Sequence, residues 1–200
     1  MGAAGLVRGN GAFRSLFVAR SVSFLGDSLG LVALLLYVEA ATGAALAVAL
    51  LLLAGDFTPG LFGAVAGAIG DRFDLRRVMV GCELAQGVLV AVMAFTLPPL
   101  PVLLVLVAVW SIVAQVFQAG SRSAVPALVE DKDLETANST LGAGTNGLEA
   151  IGPLVAAVLF LVLDVRGILL IDAATFAVSA VLLSRLPPCR LLLSTGTLRC

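Results

Sequence analysis

Histidine is absent from the 200 residues, and cysteine is confined to Cys82, Cys189 and Cys200. The chain thus lacks the side chain that titrates nearest neutrality, which excludes any mechanism that needs imidazole as base or metal ligand. Three cysteines at wide spacing form neither a disulfide framework nor a zinc site. Charge is scarce too: Asp, Glu, Lys and Arg make up 12% of the chain, roughly half the share in an ordinary soluble domain. With a formal net charge of −1 and 6% aromatics, there is no basic stripe to follow a phosphate backbone and few rings to stack bases. Nucleic acid is therefore not an expected partner, and no cofactor or metal is expected. The amino terminus offers only Arg8 and Arg14 before its first apolar run, which carries Asp27 near its middle and no small-residue cleavage site close behind. A removable signal peptide is not expected.

What the chain has is apolar length. Apolar residues reach 60% and mean hydropathy is +1.10. Between Glu83 and Arg122 there is no charged residue at all. As one helix that stretch would run roughly 57 Å at 1.5 Å per residue, against a hydrocarbon layer of about 30 Å. It must fold back, and Pro98, Pro99 and Pro101 mark the place, since proline has no backbone donor and ends a helix. Apolar windows of about twenty residues predict spans over 16–38, 44–69, 78–97, 102–119, 141–163 and 168–186. Residues 1–15 and 187–200 flank this 16–186 bundle. Between the fourth and fifth spans, Pro126–Ser139 mixes Glu130, Asp131, Lys132, Asp133 and Glu135 with Leu128, Val129 and Leu134. That mixture predicts a short amphipathic helix at the membrane surface, with Asn138 or Ser139 as N-cap of the fifth span.

The basic residues set the orientation. With the amino terminus in the cytoplasm, Arg8, Arg14, Arg72, Arg76, Arg77, Arg122, Lys132, Arg185, Arg190 and Arg199 all fall on the cytoplasmic side. The external turns hold only Arg166. Both termini are then cytoplasmic in a multi-pass protein of the cell membrane. Arg20 lies inside the first span, near enough to the cytoplasmic face for its stem to snorkel there.

The turn between spans two and three reads Gly67-Ala-Ile-Gly70-Asp71-Arg72-Phe73-Asp74-Leu75-Arg76-Arg77. Glycines here allow a tight turn or close packing, and Asp71 can accept charge-assisted hydrogen bonds from arginines or from a helix amino terminus. In sequence and in place this turn resembles the signature loop of the major facilitator superfamily. Gly67, Asp71, Arg72 and Arg76 match that loop. Asp74 stands where glycine is usual, as in a branch of macrolide and siderophore exporters, and Leu75 stands where a basic residue is usual. In the fifth span, Gly147-Leu-Glu-Ala-Ile-Gly152-Pro153 resembles the glycine-proline motif of facilitator antiporters, with Ala143, Ala156 and Ala157 replacing further glycines. Proline loosens the hydrogen-bond ladder and small residues let backbones approach, so Gly147, Gly152 and Pro153 imply a bent, closely packed helix. Gly142-Ala-Gly144-Thr-Asn-Gly147 also fits the dinucleotide fingerprint. It lacks the preceding strand that this site needs, and is set aside. The segments Arg122–Val129 and Asp172–Phe176 resemble the same exporter branch, so the likeness runs to about Leu186.

The resemblance implies an all-α integral membrane fold of six transmembrane helices in a 3+3 inverted repeat, forming one half of a facilitator transporter of about twelve helices. It also implies proton-coupled efflux of a small apolar or amphipathic solute by alternating access. The partners implied are the lipid bilayer, the solute, protons and a second six-helix half, against which Asp71 would brace. An inactive truncated product and a non-transporting scaffold subunit are the alternatives.

Charged groups at the centre of a span cost about 2.5–3.5 kcal/mol on insertion scales, so they tend to be functional or paired. By position, Asp27, Asp56 and Glu149 are the deep acids, and a carboxyl walled by apolar groups can take up and release a proton as its surroundings open and close. Asp27 and Glu149 are the candidate proton carriers, since the resemblance places spans one and five at the central cavity; Asp56 is held in reserve. Glu83 and Asp172 fall nearer span ends, where water and headgroups reach, and a structural pairing is expected of them. Gly26 and Gly30, like Gly60, Gly63, Gly67 and Gly70, line helix faces suited to close contact. An enzyme is not expected: an intramembrane serine protease would want histidine, and no Gly-Asp pair has the earlier glycine of an aspartyl type. The solute itself stays open, since an apolar cavity suits many drugs, lipids or siderophores.

Overall fold

Long runs of Leu, Val and Ala leave the main chain few side-chain partners, so its amides and carbonyls bond to one another as helices. The computed structural model describes residues 2–56 and 74–187, with side chains except at 56, and the backbone of two short strands at 190–192 and 197–199. In chain order the helices are α1 (Ala3–Gly9), α2 (Gly11–Thr42), α3 (Ala45–Asp56), α4 (Leu75–Thr96), α5 (Leu100–Leu128), α6 (Leu134–Leu159) and α7 (Val165–Ser184). Strands β1 (Arg190–Leu192) and β2 (Thr197–Arg199) pair antiparallel, with Arg190 opposite Arg199.

Side chains set the helix ends. Asn10 caps α2 by accepting from the Phe13 N–H at 3.0 Å, and its own amide donates to the Leu128 carbonyl at 2.5 Å, tying the start of α2 to the end of α5. Gly43 closes α2 in the left-handed region, φ 59°, where a Cβ would be strained. Asp74 and Asp164 cap α4 and α7 by accepting from the N–H of Arg76 (3.1 Å) and Gly167 (2.8 Å). The proline turn lies where expected: α4 ends at Thr96, Pro99 is the N-cap of α5, and the Tyr37 hydroxyl donates to the Leu97 carbonyl at 2.6 Å.

Among the described residues four helices, α2, α4, α5 and α7, are long and apolar enough to cross a membrane; Ala45–Gly55 is apolar but shorter. The rest of the expected second span, 57–69, lies outside the described residues. Two expectations are corrected between the fourth and fifth spans. No separate amphipathic helix covers Pro126–Ser139, because α5 runs through Pro126 to Leu128, a 3-10 turn covers Asp131–Asp133, and α6 already starts at Leu134. Asn138 and Ser139 lie inside α6 and are not its cap. The Ser139 and Thr140 hydroxyls instead donate back to the Thr136 carbonyl, at 3.0 and 2.6 Å, a pattern that keeps such residues within a helix. Pro153 sits inside α6 without ending it.

Helix α7 packs against both α4 and α2, α5 against α4 and α3, and α6 against α2. The buried apolar side chains among the described residues form two clusters. One gathers Phe13, Leu16, Leu75, Met79, Phe117 and Leu183, and the other Leu29, Val90, Met93, Leu103, Leu169 and Phe176. Where the clusters meet, α2, α4 and α7 bring in the buried polar side chains Ser23, Glu83, Gln86, Asp172 and Ser179. The outside is also apolar, with Leu46, Val88, Phe95, Val105, Leu154 and Leu161 exposed. That surface suits hydrocarbon.

Glycines on α6 seat it on α2: a Cβ on Gly144 would press on the Phe17 ring, and one on Gly152 would fall inside the Ser28 side chain. Around Gly147 there is open space. Gly152→Val is therefore expected to destabilise the bundle by about 1–3 kcal/mol through overpacking, and Gly147→Ala to leave its stability unchanged or slightly raised. Thermal unfolding of the chain in detergent micelles, followed by circular dichroism, reads both.

Candidate functional site

The site begins on one face of α2, where Ser23, Gly26, Asp27 and Gly30 recur at helical spacing. The two glycines open this face to α7. A Cβ at either position would overlap the Asp172 carboxyl, and one at Gly26 would also overlap the Thr175 hydroxyl. The Asp172 carboxyl thus rests directly on the α2 backbone. Helix α4 completes the seam with Glu83, fully buried, and Gln86. The Ser23 and Ser179 hydroxyls face the Glu83 carboxyl from α2 and α7, but neither reaches full hydrogen-bond geometry with it. The Thr175 hydroxyl donates to the Asp172 main-chain carbonyl at 2.7 Å.

Asp27, Glu83 and Asp172 are close enough to interact electrostatically as a group. Both Glu83 oxygens, Oδ1 of Asp27 and Oδ1 of Asp172 are sealed from solvent without a hydrogen-bond partner among the described residues. The expectation that Glu83 and Asp172 sit near watery span ends is corrected: they are 0% and 2% exposed, and they meet at the level of Asp27. Burial by three neighbouring helices, which linear position does not report, makes the difference. Among the described residues no group of three or more acids and cysteines is spaced to hold a metal ion.

Arg20 differs from expectation too. It does not snorkel to the surface but is buried, its Nη1 donating to Ser121 Oγ at 2.7 Å and its guanidinium lying 5.3 Å from the centre of the Phe24 ring. A hydroxyl and a ring face inside the bundle replace the headgroup contact.

Among the described residues, two cavities adjoin Asp27. The larger, about 230 Å³, is lined by Phe24, Asp27, Ser28, Trp110, Gln115 and Glu149 among others. The smaller, about 30 Å³, lies toward α7 and is lined by Asp27, Gly30, Met93, Trp110 and Asp172 among others. Its size matches about one water. Asp27 is half-buried, with one oxygen sealed and the residue bordering both spaces. Glu149 is exposed on α6 and borders the larger cavity only. Asp27 and Glu149 thus line one cavity.

The other sequence candidates are placed less fully. Asp56 ends the described backbone of α3 and its side chain is not described; its neighbour Gly55 borders both cavities and accepts from Ser111 Oγ at 2.5 Å. Gly67, Asp71 and Arg72 lie outside the described residues. Arg76 stands in the first turn of α4, beside a cavity of about 490 Å³ that Asp74, Arg77 and Ser184 also line. Asp74 accepts the Arg76 N–H, and its Oδ2 lies 4.0 Å from Arg77 Nε. The Asp at the usual glycine position is therefore a helix cap, a role its place just ahead of the third span could have revealed. Gly147, Gly152 and Pro153 all lie on α6, with Gly152 packed on α2.

Comparison with known proteins places this arrangement. The family model described as Major Facilitator Superfamily matches residues 16–192. Macrolide efflux protein A of Streptococcus pyogenes is 26% identical over 182 residues, which is 88% of this chain and 45% of that protein. The uncharacterized MFS-type transporter YfiS of Bacillus subtilis (strain 168) is 26% identical over 183 residues, 91% of this chain and 44% of that protein. The chain thus spans less than half the length of these relatives.

Exposure of Glu149 and burial of Ser179 lead to a direct check. In a chain with its cysteines replaced by serine, Glu149→Cys is expected to react readily with a water-soluble maleimide. Ser179→Cys is expected to stay unreactive until the protein is denatured. Mass spectrometry of the labelled chain reads the difference.

Proposed function

The chain belongs to the major facilitator superfamily, and from that premise we propose that it forms the six-helix amino-terminal half of a proton-coupled exporter for a small apolar or amphipathic solute. The family is one of multi-pass membrane transporters, not enzymes. In this reading α2 to α7 are the six spans of a 3+3 repeat in the cell membrane, with both termini cytoplasmic, and a second half closes the transport path. The length ratio to the relatives supports a missing half, and the name of the streptococcal relative supports efflux.

The observation that carries the reading is the placement of Asp27: a carboxyl in an apolar span, with one oxygen sealed, at the wall of a cavity of about 230 Å³ that also holds Glu149. The wall is mostly apolar, with Phe24, Leu31, Leu52 and Trp110, and a few polar groups such as Gln115 and Gln118. Such a lining suits an amphipathic solute. A neutral, protonated Asp27 is compatible with the closed, dry arrangement. When the cavity opens to water the carboxyl can ionise, and its charge then disfavours closure until a proton returns. Glu149 at the rim passes the proton between Asp27 and water, with Asp56 in reserve. Gly67, Asp71, Arg72 and Arg76 brace one conformation against the other half, and Gly147, Gly152 and Pro153 set the bend of α6 along the cavity.

Asp27→Asn in the complete transporter is expected to abolish proton-driven efflux from inverted vesicles while membrane insertion stays intact, as judged by immunoblotting. Proton-driven transport at the wild-type rate in that variant would remove Asp27 from the mechanism.

A further inference from the structure

The reading above uses Asp27 and Glu149 and leaves Glu83 and Asp172 without a role, although both are more deeply buried than either. We infer that Asp27, Glu83 and Asp172 act as one proton-holding group at the seam of α2, α4 and α7, with Asp27 as its outlet to the cavity. The inference deepens the exporter reading and rests on it for its role in transport.

The geometry argues for a shared site. Three helices each supply one carboxyl to the seam, Glu83 and Asp172 fully buried in it, and the Gly26 and Gly30 gaps press the Asp172 carboxyl onto α2. Four of the six carboxyl oxygens are sealed from solvent without a hydrogen-bond partner among the described residues. The Ser179 hydroxyl, 0% exposed and itself unpartnered, is turned toward Glu83. Carboxyl oxygens become partners for one another only when protons lie between them.

The charged surroundings favour the same conclusion. From α2 the groups facing the seam are Ser23 and Asp27, from α4 Cys82, Glu83 and Gln86, and from α7 Asp172, Thr175 and Ser179; α5 adds Trp110 at the small pocket. Among the described residues none of these is a cation. Arg20 stands two turns away on α2 and is engaged by Ser121 and the Phe24 ring. Neighbouring carboxyls in a dry, weakly polarisable interior cannot all carry charge, so they hold shared protons and titrate as a unit. Of the three acids, only Asp27 borders both the small pocket with Asp172 and the larger cavity with Glu149, so protons leave and enter the group there. Loss of protons would set like charges against each other across the Gly26 and Gly30 contact. That repulsion gives the group a direct hold on the packing of α7 against α2.

The test needs no transport. The chain in lipid nanodiscs is titrated by infrared spectroscopy, following the C=O stretch of protonated carboxyls, with the amide band of the same spectrum reporting helical fold. Expected is a protonated-carboxyl band that persists at neutral pH, where exposed Asp and Glu are ionised. Asp27→Asn, Glu83→Gln and Asp172→Asn are each expected to move the titration of the remaining two acids toward lower pH, because one like charge is gone. Loss of only the substituted residue's own intensity, or absence of the band at neutral pH, overturns the inference. Should an acid variant lose its helical band, Ser179→Ala keeps all three acids and is expected to shift the band; an unchanged band there also overturns it. Coupled titration together with intact proton-driven efflux in Asp27→Asn would uphold the cluster and defeat the exporter mechanism. Uncoupled titration with abolished efflux would do the reverse.

Discussion

Taking carboxyl groups out of water is the step that the packing of α2, α4 and α7 must accommodate. An ionised acid inside an apolar bundle loses its hydration, and the loss is tolerable only where other polar groups, or protons, take the place of water. In this chain Asp27, Glu83 and Asp172 are gathered at one seam. The two apolar clusters stop short of each other there, and Ser23, Gln86 and Ser179 are buried beside Glu83 and Asp172. The glycines follow from the same need: without Cβ atoms at Gly26 and Gly30, the Asp172 carboxyl reaches the α2 backbone and α7 packs tightly.

Away from that seam the bundle is held by polar contacts near its ends and by apolar packing between. Asn10 joins the start of α2 to the end of α5, Arg20 reaches Ser121, and Tyr37 reaches the turn between α4 and α5. These bonds pin α2 against α5 near one end and against the proline turn near the other, so the face carrying Asp27 is framed by fixed points. In hydrocarbon, where burial of apolar side chains gives little drive for helix association, such bonds and close glycine contacts take on much of the work of assembly.

In the proposed mechanism the placement of Asp27 links this architecture to function. It is the one acid of the seam that also borders the larger cavity, so in that mechanism a change in its protonation would act both on a solute in the cavity and on α7 behind it. A membrane transporter needs such a link, because solute binding at one surface must alter helix packing at another. The superfamily match extends over residues 16–192, from α2 to β1.

Much of this was legible from composition and spacing alone. Scarcity of charge, the uncharged stretch after Glu83 and the prolines at 98, 99 and 101 are local properties, and a main chain in oil has few ways to satisfy itself, so the helices and the α4–α5 turn follow directly. The loop at Gly67–Arg77 and the Gly147–Pro153 segment pointed to the superfamily because short motifs are read along the chain. Local chemistry also misled: the acids and caps around Asp131–Ser139 suggested a surface helix, whereas α6 simply begins earlier. What one dimension does not contain is which helix faces which. Glu83 and Asp172 looked peripheral because depth was judged within each span, and Arg20 looked free to reach the surface for the same reason. Only the packing of α7 into the glycine face of α2, beside α4, brought three acids from distant parts of the chain within reach of one another, and electrostatic coupling depends on that distance in space, not on separation in sequence.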